Sequence, residues 1–171
     1  MTILIAYGTV EGQTKKIAKH VEGLVRDARE DVILFDTSGS SHGPSFDDVD
    51  KVILAASVHE RRHPKDFETY LYSNRNELAG KRVLLLSVSL KAAFDEGQGE
   101  AQDYVDEMAL RTGLNATATH FVAGASRGDS SDFYASQMLR HGVLRGQTFD
   151  PSLRDHKFTG WEAPGERAAR T

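Results

Sequence analysis

The sequence contains no cysteine among its 171 residues. The absence of thiols excludes disulfides, thiolate zinc sites, cysteine-ligated iron–sulfur clusters and cysteine nucleophiles. Any redox chemistry in this protein must therefore be carried by a group other than a protein thiol.

Long apolar runs and an excess of basic charge are also absent. No apolar run approaches the ~20 residues of a membrane span, and residues 2–7 are too short for the apolar core of a signal peptide. The formal net charge is −4, from 25 acidic and 21 basic residues, whereas general nucleic-acid binders carry a basic surface. We therefore expect a cytoplasmic protein without a nucleic-acid partner. The length predicts one domain over residues 1–171.

Short apolar runs alternate with amphipathic segments along the chain. This alternation predicts an α/β fold, in which a parallel sheet has helices on both faces. Right-handed crossovers leave two common arrangements, the strand order 2-1-3-4-5 and half of a dinucleotide-binding fold. Strands are predicted at residues 2–7, 32–35, 52–56, 83–88 and 117–123. Helices are predicted from residue 14, after Pro64, over 100–112 and over 131–144.

The turn between the first predicted strand and the first helix, residues 8–14, has the sequence GTVEGQT. It matches neither the dinucleotide-binding fingerprint nor a Walker loop. It places hydroxyls and free backbone N–H groups at a helix N-terminus, which is a favourable position for a phosphate. Because the turn lacks Lys and Arg, these neutral donors suit a phosphate monoester better than a triphosphate. An ordinary helix-capping turn explains this composition equally well.

Residues 5–14, IAYGTVEGQT, resemble the phosphate loop of flavodoxin-like proteins, which bind FMN. The form Thr-x-x-Gly-Gln-Thr is most similar to the menaquinone-dependent protoporphyrinogen dehydrogenases of bacterial haem synthesis. The resemblance extends over nearly the whole chain. It includes residues 52–58 with His63 and Phe67, residues 87–90, residues 121–125 with Arg127, and residues 158–161.

The resemblance implies a flavodoxin-like three-layer sandwich with a five-stranded parallel sheet in the order 2-1-3-4-5. It also implies that an insertion at about residues 124–158 interrupts the last strand, and that residues 162–171 form a loosely ordered tail. Pro164 and Gly165 would break a long C-terminal helix. The sheet face left exposed by a short helix favours a homo-oligomer.

The resemblance assigns FMN contacts to loops that follow the strands. The turn after the first strand would bind the phosphate, and the later loops would contact the ring. The implied cofactor-binding residues are Thr9, Val10, Glu11, Gly12, Gln13, Thr14, Ser57, Val58, His59, Ser87, Val88, Ser89, Leu90, Phe94 and Gly124. Neither Trp nor Tyr occurs in residues 57–66 or 87–99, so the residue that stacks on the flavin is left open. Local packing is an equally good explanation of Phe94.

The implied activity is that of an FMN-dependent oxidoreductase resembling protoporphyrinogen IX dehydrogenase. Electrons would pass from a reduced, porphyrinogen-like substrate through FMN to a quinone. The flavin performs the chemistry, so no catalytic side chain and no metal is expected. His59, Arg61 and Arg127 are the implied substrate contacts, and solvated loop residues are the alternative. For His63 a solvated position is at least as well supported as a functional one.

A flavodoxin-type electron-transfer protein without its own substrate is the alternative function. Residues 91–107 favour this alternative, because they contain one lysine and six carboxylates and suit a basic redox partner. Peripheral contact with the inner face of the membrane is a further expectation from the resemblance. The moderately amphipathic helix predicted over 131–144 supports that contact only weakly.

Overall fold

The computed structural model describes residues 1–9, 12–39, 43–89 and 97–123. Within these ranges, five strands and four helices follow one another along the chain. They are β1(Thr2–Gly8), α1(Gln13–Asp27), β2(Asp31–Asp36), β3(Lys51–Ser57), α2(Lys65–Ser73), α3(Arg75–Ala79), β4(Arg82–Ser89), α4(Gln98–Thr112) and β5(Ala118–Ala123). Each predicted strand agrees with an observed strand to within one residue at both ends.

The five strands pair in parallel in the order β2-β1-β3-β4-β5. This confirms the predicted fold class and strand order. The central strands are apolar on both sides because helices cover both faces of the sheet, and this explains why their sequences show no alternation. The predicted insertion at 124–158, the helix over 131–144 and the tail at 162–171 lie outside the described residues.

Alternate residues of the central strands belong to two separate apolar layers. On one face, Ile3 and Ile5 of β1 pack in the same cluster as Ile17 and Val21 of α1. The other face is covered by α2 and α4, and its cluster is built from Leu4, Leu54, Phe67, Tyr70, Leu71, Leu85 and Met108. The sheet is therefore held from both sides, which fixes the position of the strand ends.

The short helix α3 was not predicted, because its five residues are too few to show a helical period. No helix in the described part of the chain is long and apolar enough to cross a membrane.

Candidate functional site

The parallel pairing brings the carboxyl ends of all five strands to one edge of the sheet. Gly8 of β1 pairs with Ala56 of β3, and Ser57 pairs with Val88 of β4. Between β1 and β3 the chain reverses its direction across the sheet, since β2 lies on one side and β4 on the other. Ligands of open α/β folds bind in the crevice at such a reversal. The turn after β1 and the loop after β3 therefore border the candidate site.

Two glycines shape the turn after β1. A Cβ at Gly8 would lie 2.7 Å from the Cβ of Phe67, so only glycine allows α2 to approach the end of β1 this closely. Gly12 has a φ of 89°, in the left-handed region that favours glycine. Its N–H donates to Thr9 Oγ1 over 2.8 Å, which closes the turn directly before α1.

The start of α1 offers hydrogen-bond donors with few partners. Gly12 at the N-cap has no side chain, and the first turn contains no acidic residue, so the helix dipole is not neutralised there. Thr14 is fully buried, yet its Oγ1 has no hydrogen-bond partner among the described residues. The buried Oγ of Ser57, at the end of β3, has none there either. Unpartnered buried hydroxyls are rare in native proteins, and these two fit the polar groups of a ligand such as FMN.

A tight hairpin follows β3. The N–H of Val58 donates to the carbonyl of Val88 over 2.8 Å and continues the β3–β4 ladder by one residue. His59 and Arg62 then exchange two backbone hydrogen bonds, of 2.8 Å and 3.1 Å. The hairpin, defined here as residues 59–62, is thus attached directly to the sheet.

The two central residues of the hairpin have left-handed backbone conformations. The φ angle of Glu60 is 51° and that of Arg61 is 71°. Two successive positive φ angles are typical of a type I′ turn, in which Asn-Gly is the favoured sequence. The sequence predicted only a loop here, because Glu-Arg carries no signal for this turn.

His63 follows the hairpin and is buried, with only 3% of its surface exposed. The expectation that it is solvated is therefore wrong. Its Nε2 lies 2.9 Å from Ser87 Oγ. Burial lowers the pKa of His63 to about 4; the charge of Glu68 opposes this shift, and that of Arg111 adds to it. The imidazole is consequently neutral at neutral pH. Because Ser87 is fully buried, this pair anchors the loop and does not present a nucleophile.

The other predicted site residues of this edge differ in exposure. Val88 and Ser89 are buried at the end of β4, whereas His59 and Arg61 are exposed on the hairpin. The guanidinium of Arg61 lies 5.8 Å from the ring centre of Tyr104 on α4. The cofactor contacts assigned to these residues and to Ser87 stay predictions. The predicted residues Val10, Glu11, Leu90, Phe94, Gly124 and Arg127 lie outside the described residues.

Glu68 was not recognised from the sequence, although it links the hairpin to α4. Its side chain is 9% exposed and forms ion pairs with Arg62 and Arg111. An acidic residue beside the apolar positions 67, 70 and 71 of a helix is the signal that could have identified it, because a buried carboxylate needs a cationic partner.

Comparisons with known proteins agree with this architecture. The flavodoxin domain family model matches residues 4–147. Flavodoxin 1 from Bacillus cereus has a TM-score of 0.58 and 18% identity, over 82% of this chain and 99% of that chain. A flavodoxin from Pseudomonas aeruginosa gives 0.59 and 16% identity, over 85% of this chain and 100% of that one.

A longer protein contains the same fold. The rubredoxin oxygen:oxidoreductase of Desulfovibrio gigas has a TM-score of 0.60 and 16% identity over 85% of this chain, which spans 36% of that protein. At these identities the structures establish a shared fold. No curated protein sequence matches the chain. Because the family model covers most of its length, the chain belongs to the flavodoxin family.

Proposed function

We propose that this protein binds FMN in the crevice between the ends of β1 and β3 and uses it for electron transfer. The observation that supports this most directly is the pair of buried, unpartnered hydroxyls, Thr14 Oγ1 and Ser57 Oγ, at that crevice. When bound, FMN supplies the redox chemistry, and the protein supplies binding, orientation and electrostatics.

The residues of the turn after β1 suit the phosphate end of this ligand. Residues 8–14 include no Lys or Arg, so a dianionic phosphate would be held by N–H and hydroxyl donors. Hydrogen bonds from neutral donors to an anion are about twice as strong as those between neutral groups. Thr14 and the first amides of α1 are therefore the expected phosphate donors.

Titration of the apoprotein with FMN and with riboflavin tests this site. The two ligands share the ring, and riboflavin lacks the phosphate. We expect one FMN to bind per chain, with quenching of flavin fluorescence, and riboflavin to bind at least ~100-fold more weakly because it loses several charge-assisted hydrogen bonds. Equal affinities would place the phosphate elsewhere, and no uptake of FMN would overturn the proposal.

The surface of α4 favours a protein as the electron-transfer partner. Glu100, Asp103, Asp106 and Glu107 are exposed along this helix, and Arg111 is the single basic residue among its positions. Tyr104 on the same helix lies beside the hairpin through its contact with Arg61. An acidic surface next to the proposed flavin site attracts a basic redox protein.

Reduction of cytochrome c, a basic redox protein, by the reduced FMN-loaded protein tests the role of this surface. We expect the double change Asp103→Asn with Asp106→Asn to slow reduction and to weaken its dependence on ionic strength. Asp47→Asn with Asp48→Asn is the matched control, since both residues are exposed and precede β3 at the opposite edge of the sheet. Equal slowing by both pairs would show that only net charge matters.

Oxidation of a porphyrinogen-type substrate, with a quinone as electron acceptor, is the second candidate function. The feature that favours it is the pair of adjacent exposed arginines, Arg61 and Arg62, on the hairpin, because guanidinium groups bind substrate carboxylates well. The FMN-loaded protein should then oxidise protoporphyrinogen IX with a menaquinone analogue faster than free FMN does, and Arg61→Gln should raise the KM. Turnover no faster than with free FMN would leave electron transfer between proteins as the function.

A further inference from the structure

Three parts of the chain meet at the side chain of Glu68. Arg111, in the last turn of α4, engages both carboxylate oxygens, with Nε 2.9 Å from Oε1 and Nη2 2.7 Å from Oε2. Arg62, at the end of the hairpin, adds a third contact of 3.0 Å from its Nη2 to Oε1. Burial alone would raise the pKa of Glu68, but the two arginines outweigh it and lower that pKa, so the carboxylate is charged at neutral pH.

The two arginines come from elements that follow neighbouring strands at the candidate site. Arg62 closes the hairpin after β3, and Arg111 belongs to the helix that follows β4. Arg61 forms a second link between the same elements, because its guanidinium lies over the ring of Tyr104 on α4. The hairpin and α4 are therefore connected twice, once through Glu68 and once through Tyr104.

The hydrogen bond between Arg62 and Glu68 is not needed to hold α2 against α4. Arg111 alone uses both oxygens of Glu68, and Arg62 is 57% exposed. Arg62 directly follows two residues with positive φ, a conformation that Glu and Arg rarely adopt. Such a backbone persists only where the surrounding structure fixes it. The contact with Glu68 on one side and the buried His63 on the other supply this restraint.

We propose that Glu68 is a positioning residue for the flavin site, because its carboxylate holds the hairpin and α4 at a fixed separation. This inference rests on the proposed function. Glu68 acts through its ion pairs with Arg62 and Arg111. Its loss should leave the phosphate turn intact and loosen the part of the site that borders the ring.

The first test compares two Glu→Gln changes that face the same arginine. In the full chain, we expect Glu68→Gln to raise the FMN dissociation constant about tenfold, the effect of losing one charge-assisted hydrogen bond that holds a binding loop. Glu107→Gln is the control, because Oε2 of Glu107 lies 4.0 Å from Nη1 of Arg111 and the Glu107 side chain is 56% exposed. It should change the dissociation constant less than about twofold, as exposed pairs contribute little.

The second test shows whether a loss of FMN affinity in Glu68→Gln is caused by misfolding. Arg62→Gln leaves the contacts between Glu68 and Arg111 in place, so the variant should fold, yet its FMN affinity should fall in the same way. Its effect should not add to that of Glu68→Gln, since both changes remove one contact. Arg62→Lys should restore binding, because Arg62 makes only one hydrogen bond to Glu68 and a lysine can form it. Hydrogen exchange at residues 58–63 should be faster in both Gln variants.

The outcomes separate this inference from the function on which it rests. A wild-type protein that takes up no FMN overturns both. Tight binding by wild type, with unchanged dissociation constants in Glu68→Gln and Arg62→Gln, overturns the positioning role alone. If the apoprotein melting temperature then falls only in Glu68→Gln, Glu68 is a structural link between α2 and α4.

Discussion

The turn after β1 and the hairpin after β3 border the same crevice, but their polar groups find partners in different ways. In the turn, Thr14 Oγ1 is buried and has no hydrogen-bond partner among the described residues. In the hairpin, His59 and Arg62 bond to each other, and Arg62 also bonds to Glu68. His63 beside it is anchored on Ser87. The turn thus has donors available for a ligand, whereas the hairpin is held by the protein itself.

This difference indicates how each region contributes to binding. A buried hydroxyl without a hydrogen-bond partner destabilises the apoprotein. A ligand that forms a hydrogen bond with this hydroxyl offsets that cost. A loop that is already fixed loses little conformational freedom on binding, which favours affinity by preorganisation. We therefore expect substitutions in the turn to change ligand binding directly. Substitutions that release the hairpin should change stability, and they should change ligand affinity only through the position of the loop.

The largest expected effect concerns the hairpin anchor His63 and the pH dependence of folding. Its pKa in the folded protein is about 4, below the ordinary value of 6.5. Between these pH values the unfolded chain binds a proton that the folded protein does not, so stability falls as pH falls from 6.5 to 4. The loss should reach about 3 kcal/mol, since one pKa unit corresponds to about 1.4 kcal/mol.

Chemical denaturation at a series of pH values checks this loss, with His63→Gln as the comparison. Gln can bond to Ser87 without titrating, so the variant should lack this part of the slope between pH 4 and 6.5. His120 is also buried, and burial lowers its pKa to about 3, but it is present in both proteins and cancels in the difference. Parallel curves for wild type and His63→Gln would show that the imidazole titrates normally.

The next effect concerns the turn, where the change Thr14→Val keeps the side-chain shape and removes the hydroxyl. The FMN affinity should fall by about 2 kcal/mol, because a hydrogen bond to a charged group is lost. The apoprotein should at the same time gain about 1 kcal/mol of stability, since a buried unpaired hydroxyl disappears. Thermal unfolding without ligand and FMN titration measure the two terms separately.

Thr112→Val is the matched control for that change. Thr112 is also buried, but its Oγ1 donates to the Met108 carbonyl over 2.9 Å and accepts from the Leu114 N–H over 3.2 Å. The same substitution should therefore destabilise the protein by about 1–2 kcal/mol and leave FMN affinity unchanged. If Thr14→Val also destabilises the apoprotein, its hydroxyl has a partner and the contrast between turn and hairpin is lost.

The two regions also differ in how far the sequence predicts them. The strands follow from apolar runs, and the strand order follows from the resemblance to flavodoxin-like proteins. The turn follows from glycines and hydroxyls at fixed positions. The hairpin depends on a pairing that no local pattern indicates, because Glu60 and Arg61 are poor residues for a type I′ turn. Glu68 and Arg111 are 43 residues apart, and only the packing of α2 on α4 brings them together. The predicted strands therefore locate the edge of the site, and long-range contacts determine the conformation of the hairpin that borders it.

The prediction with the smallest expected effect concerns backbone strain in the hairpin. Replacing Glu60, whose φ is 51°, by Asn should stabilise the protein by about 0.5–1 kcal/mol, because Asn tolerates the left-handed region better. Arg29→Asn is the control outside the site, since Arg29, two residues after the end of α1, has a φ of 64° and should give a similar gain. Both variants should bind FMN as wild type does if strain relief keeps the hairpin in place. A weaker affinity in Glu60→Asn alone would mean that Glu60 itself contributes to the site, and the hairpin would then share the ligand-binding role here assigned to the turn.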